Sequence, residues 1–158
     1  MNPIRSIVSV FGGLGVILFT TQALETVLVR ATAGDAFQDL ESFLIAANQP
    51  GMLVAKLVYS GLMGILGGYL VAKVAASAPM VHAVFAAGLL AAANISGYAT
   101  DELAAFTPVA VRAGLVVVMS GALLVGASVR TRAAAFETGS GWPPAGEAED
   151  RKQEGSRS

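Results

Sequence analysis

Hydrophobic positions along this chain fall into four long runs, covering about residues 4–29, 52–76, 79–97 and 108–129. A run of roughly 18 or more apolar residues reads as a membrane span. At 1.5 Å rise per residue even the third run is roughly 28 Å long as a helix, close to a hydrocarbon core of about 30 Å. In lipid each run must be helical, because only a helix satisfies its own backbone polar groups there. No alternating pattern of period two appears anywhere. The predicted fold is all-α, an integral membrane four-helix bundle.

Polar punctuation sets the boundaries. Thr107-Pro108 supplies an N-cap oxygen before a proline at the first helical position, and Ser77-Ala78-Pro79 opens the third span in the same way. So short a link between spans two and three predicts a tight antiparallel hairpin. Asn48-Gln49-Pro50-Gly51 is a turn before span two. In the longer link before it, Asp35 precedes Gln38 at the spacing of a capping box. Phe37, Leu40, Phe43, Leu44 and Ala47 then recur at helical intervals among Gln38, Asp39, Glu41 and Asn48. This predicts a short amphipathic helix, lying at the membrane surface or packed on the span ends. Residues 1–132 thus form the four-span domain. The polar Gly, Ser, Pro and mixed-charge stretch 133–158 cannot build a core and is expected to be a disordered tail.

Composition sharpens this picture. Charged residues are 13% of the chain, against about a quarter in soluble domains, and those present cluster at span ends. Arg5, Lys73, Arg130 and Arg132 flank one side, with Arg151, Lys152 and Arg157 in the tail, and Arg30, Lys56 and Arg112 flank the other. By the positive-inside rule the first side is cytoplasmic, giving an N-in/C-in topology with a cytoplasmic tail. Arg5, the first apolar run and Ala31-Thr32-Ala33 loosely resemble a signal peptide. The run is much longer than the usual 7–15 residues, so the segment is expected to be retained. A net charge of −1 offers no basic stripe for nucleic acid. With no cysteine and one histidine, the chain has no disulfide, thiolate nucleophile or multi-histidine metal site. No cofactor motif is present, and the glycine clusters read as membrane packing rather than a phosphate loop.

Gly61, Gly64, Gly68, Ala72 and Ala75 share one face of span two, with Ser60 overlapping it. Such a face lets another helix approach closely, which is how spans associate in lipid. Its partner is span three, through Ala83, Ala87 and Ala91, or span four, through Gly114 and Gly121. The same face could serve bundle packing within the chain or a dimer contact.

Ionisable groups inside spans are functional candidates because burying them is costly. Glu25, Lys56 and Arg112 lie near the outer span ends, with Gln22 and Asn94 in the same outer half. These five form a predicted rim cluster, a carboxylate between two cations, able to pair internally or to hold an anionic headgroup or solute. Cations in such positions also snorkel to the interface. His82, about one turn into span three, suits an interfacial hydrogen bond. Tyr59, Tyr69, Tyr98 and Trp142 are too scattered for a cofactor site, and Tyr98 suits an interfacial anchor. Around Val16, Gly64, Gly88 and Met119, with Ser120 the most polar neighbour, the midplane holds no carboxylate or cation of the kind ion-coupled transporters use.

Gly67-Gly68-Tyr69-Leu70-Val71-Ala72-Lys73, followed by Pro79-Met80-Val81-His82-Ala83 and Gly88, resembles a pattern in small four-span bacterial membrane proteins of uncharacterised function. There a Gly-Gly-Tyr near the end of span two precedes a small-residue, basic segment, and a Pro and a His-Ala open span three. The resemblance implies a bacterial inner-membrane setting and transfers no activity.

Together these features point to a non-catalytic accessory or assembly subunit working through helix–helix contacts, with the bilayer and other membrane subunits or a second copy as partners. The alternative is an oligomeric small-solute transporter or pore with the rim cluster as its mouth. A headgroup enzyme using Glu25 or Asp101 ranks third, since no nucleophile pairs with a base.

Overall fold

In the computed structural model the described residues are 3–34, 39–75, 77–100 and 106–137. Among them are five helices and no strand: α1 (Pro3–Ala33), α2 (Leu40–Ala47), α3 (Pro50–Val74), α4 (Pro79–Thr100) and α5 (Val109–Glu137). The helices α1, α3, α4 and α5 are each long and apolar enough to cross a membrane. Their large apolar side chains point outward: Phe19 is 82% exposed and Val117 72%. The interior is filled by small residues and a few branched ones, among them Ala83, Ala86, Ala87, Ile17, Leu90 and Leu123. An apolar exterior around a small-residue interior is what lipid solvation requires. The chain is an all-α four-helix bundle of the multi-pass membrane type.

The helices extend the sequence boundaries at their ends. α1 continues through Ala31–Ala33, α4 reaches Thr100, and α5 runs past Arg132 to Glu137, where Arg130 pairs with Glu137 at 3.5 Å. Asp35, Phe37 and Gln38, the proposed capping box among them, lie outside the described residues, as does the tail beyond Glu137. The cap of α2 is Asp39, which accepts the Ser42 backbone N–H at 2.7 Å. That bond and the Ser42 hydroxyl hold the Asp39 carboxyl below its ordinary range. α2 packs on the span ends, with Ala47 fully buried against Val29 and Met52, while Leu40 and Ile45 stay exposed. Thr107 does not act as expected at the start of α5. Its hydroxyl donates to Asn48 Oδ1 at 2.7 Å, tying that start to the turn before α3.

The helix arrangement chooses between the two partners open to the glycine face of α3. α3 and α4 are joined by a short turn, in which Ala78 takes a positive φ of 48°, but they are not each other's main partners. The most extensive contact of α3 is with α5, the next with α1, and α4 packs chiefly on α5. α3 and α5 run parallel, since Gly114 meets Leu57, Gly61 meets Val118 and Gly126 meets Ile65 in rising order. α1 and α5 make no contact among the described residues, so α3 and α4 span the short diagonal.

Glycine explains why α3 is central. A Cβ on Gly68 would overlap the Leu123 carbonyl, and one on Gly126 would overlap the Ile65 carbonyl. Each carbonyl lies where the glycine's second hydrogen points, the arrangement of a Cα–H···O contact. Gly64 faces Ala122 and the Met119 carbonyl in the same way. One residue round the helix, Gly67 turns to α1, where it and Gly13 each approach the other's carbonyl oxygen. Ser9 reinforces that seam by donating to the Val71 carbonyl at 2.7 Å. The predicted packing face therefore serves the chain's own α5. Ala72 is buried with it, whereas Ala75 leaves the helix as its C-cap. Gly126, not Gly121, is the reciprocal glycine; Gly121 meets open space.

Substituting Gly68 or Gly126 by Ala is expected to force α3 and α5 apart at a cost of about 1–3 kcal/mol or more. Ala at Gly121 or Gly12, which face nothing, is expected to be neutral or stabilising by up to about 1 kcal/mol through helix propensity. Thermal midpoints of the four variants in one detergent check this.

Candidate functional site

Among the charged groups toward the α2 end of the bundle are Glu25, Lys56 and Arg112. Glu25 on α1 is held on both oxygens by α3. Lys56 Nζ lies 2.6 Å from Oε1, and the Tyr59 hydroxyl donates to Oε2 at 3.3 Å. The helical spacing of Lys56 and Tyr59 puts both on the face turned to α1. The two charged side chains are only 15% and 12% exposed. A pair this buried is desolvated, so each charge depends on the other.

The pair lies in the wall of a cleft of about 420 Å³. Leu18, Thr21, Gln22 and Glu25 of α1 form one side, and Ala93, Asn94, Gly97 and Tyr98 of α4 the other. Lys56 and Ser60 of α3 and Leu115 and Met119 of α5 form the back, and Leu44 and Thr107 close the top. One helical turn further toward the bundle centre from Thr21, Asn94 and Met119, the side chains of Ile17, Leu90 and Leu123 are buried to 1% exposure or less. Ser60 is 1% exposed, and its hydroxyl has no hydrogen-bond partner among the described residues. The same holds for the buried Thr21 Oγ1 across the cleft. Buried polar atoms are nearly always satisfied, so two such hydroxyls lining one cleft call for an explanation.

Of the five residues expected at the rim, Gln22, Glu25, Lys56 and Asn94 do line the cleft. Arg112 does not complete a carboxylate between two cations. It turns to Tyr98, donating to its carbonyl at 3.4 Å, with the guanidinium carbon 6.0 Å from the ring centroid. Arg112 lines a shallower groove with Ile95, Tyr98 and Ala99, on the α4–α5 side. Asn94 donates to Leu90 O within its own helix at 2.8 Å. Asp101 and Glu102 lie outside the described residues.

Thr21, Tyr59 and Ser60 are site residues that the sequence pattern did not single out. A signal was present: Thr21 precedes Glu25 by one turn and Ser60 follows Lys56 by one turn, so each shares a face with a charge. By pattern alone Ser60 is a small packing residue and Tyr59 one of several scattered aromatics. His82, by contrast, behaves as expected of an interfacial side chain. It is buried at the far end of α4, with Nδ1 donating to the Ala78 carbonyl at 3.1 Å.

Among the described residues no group of three or more His, Asp or Glu side chains is placed to hold a metal ion. The one described imidazole is committed to Ala78 and stands at the end of the bundle opposite Ser60. What the cleft offers chemically is one charge of each sign, two free hydroxyls, amides and an apolar floor.

Glu25→Gln strands the Lys56 charge and is expected to cost about 3–5 kcal/mol, while the double variant Glu25→Leu with Lys56→Met recovers most of it. Unfolding of the single and double variants in mixed micelles measures this coupling. No family model matches the chain, and neither a curated protein nor a solved structure matches it.

Proposed function

We propose that the chain is a non-catalytic integral protein of a bacterial inner membrane, with both ends cytoplasmic, acting as an accessory or assembly subunit through helix–helix contacts. The observation that supports this most is the internal neutralisation of the Glu25–Lys56–Tyr59 cluster. A carboxylate bound on both oxygens is a structural tie rather than a poised acid or base. The serine in the cleft has no imidazole beside it, which weakens the enzyme reading.

Of the two uses open to the glycine face of α3, packing within the chain is the one it has. The Gly61, Gly64 and Gly68 face is spent on α5. On α1, Gly12 and Gly15 meet nothing within 4 Å and lie among the exposed Phe11, Leu18 and Phe19. This is the face on which another span could approach closely.

A transporter or pore is the second reading, favoured by the polar lining of the cleft. Within one bundle Ile17, Leu90 and Leu123 are fully buried one turn beyond the cleft lining, so a path would require several copies. Unchanged liposome flux after joint replacement of Glu25, Lys56 and Arg112 would remove it.

The accessory reading is tested by purifying the full chain in mild detergent and identifying co-purified chains. A membrane protein, or a second copy, is expected in stoichiometric amount, and Gly15→Leu is expected to release it about tenfold more readily by the loss of close packing. A strictly monomeric, partner-free chain overturns the reading.

A further inference from the structure

We propose that the cleft between α1 and α4 seats the headgroup of a zwitterionic phospholipid that enters sideways from the bilayer. This goes beyond the accessory role and does not depend on it.

Shape is the first ground. The cleft is a seam rather than a vertical well. Leu18 and Gln22 on α1 and Ala93 and Gly97 on α4 line it and are themselves exposed, while the back wall of Ser60, Leu115 and Met119 is buried. Exposed residues on both walls make the opening face sideways, where lipid would lie. A volume of about 420 Å³ suits a headgroup with the first part of its chains.

Polarity along the cleft is the second ground. Lys56, Glu25, Ser60, Thr21 and Asn94 form a polar girdle, and Leu18 and Met119 form an apolar floor toward the bundle centre. That is the gradient of an amphiphile whose chains run toward the bilayer midplane.

Charge selects the headgroup. A purely anionic head would meet Lys56 but abut Glu25, and a cationic one the reverse. A head with a phosphate and an ammonium meets both signs at once. The unpartnered hydroxyls of Ser60 and Thr21 are the donors a phosphate needs. Asn94 donates one Nδ2 hydrogen to the Leu90 carbonyl, which fixes its amide and leaves the acceptor Oδ1 for an ammonium.

The test is native mass spectrometry of the full chain in neutral detergent, titrated with phosphatidylethanolamine, phosphatidylglycerol, diacylglycerol or soluble phosphoethanolamine. One phosphatidylethanolamine is expected to be retained at least about tenfold more tightly than the other three, the worth of one or two charge-assisted hydrogen bonds. Ser60→Ala with Thr21→Val is expected to abolish the preference while leaving the thermal midpoint unchanged or raised, because neither hydroxyl has a partner to lose among the described residues. Ala93→Trp, at the exposed rim, is expected to block entry by bulk alone and decides the matter if the double variant does not fold. Equal retention of phosphatidylglycerol and phosphatidylethanolamine, insensitive to both variants, would mean annular lipid and overturn the proposal. Phosphoethanolamine binding as tightly as the lipid would make the seat one for a free solute and overturn it equally.

Discussion

Everything else in this bundle depends on backbone meeting backbone along α3. Lipid tails are as apolar as leucine, so burying leucine against leucine gains little there, and association relies on dispersion and short polar contacts. Both fall off steeply with distance, which is why two adjacent glycines matter so much. Gly67 and Gly68 point in directions about 100° apart on the helix, one toward Gly13 of α1 and the other toward Leu123 of α5. Two neighbours are thereby drawn against one spine from different sides. α1 and α5 are held apart as a result, and α4 bridges the opposite side with fewer contacts to α1. The cleft opens between α1 and α4, which pack on each other less than either packs on its glycine-bearing neighbour.

The electrostatics follow from the same geometry. Close approach of α1 and α3 brings Glu25 against Lys56 and Tyr59, so a carboxylate inside a span has two donors without recruiting water. In a medium of low dielectric such a tie fixes register as well as charge. The hydroxyls of Ser60 and Thr21, one turn from those charges, are held in the same walls but are given no partner there. Structure and binding capacity thus sit side by side on α1 and α3, one turn apart.

The number and nature of the spans were legible because length and apolarity alone decide whether a helix suits a bilayer. Four of the five rim residues were legible too, since ionisable and amide groups in a span have few places to go. Arg112 was misjudged because sequence position gives depth but not azimuth; a rotation about α5 separates facing Glu25 from facing Tyr98. The pairing of α3 with α5 rather than α4 was hidden for a related reason. A short link constrains the ends of two helices, whereas the glycine face decides which neighbour lies along their length. Gly126 could not be preferred to Gly114 or Gly121 without knowing the register of that contact. Gly67 and Gly68 serve here as helix contacts, and His82 ties its ring to the Ala78 carbonyl beside the α3–α4 turn.

The parallel pairing of α3 with α5 also has a meaning in time. A chain made from its N-terminus completes α3 and then α4 before α5 exists. α1 is already present to cover Gly67, but the Gly64 and Gly68 flank of α3 waits through the whole of the intervening hairpin. During that interval the most adhesive strip in the molecule is open to whichever helix is nearest. The last span therefore acts as a latch, and the three helices before it remain an unlocked assembly until it arrives.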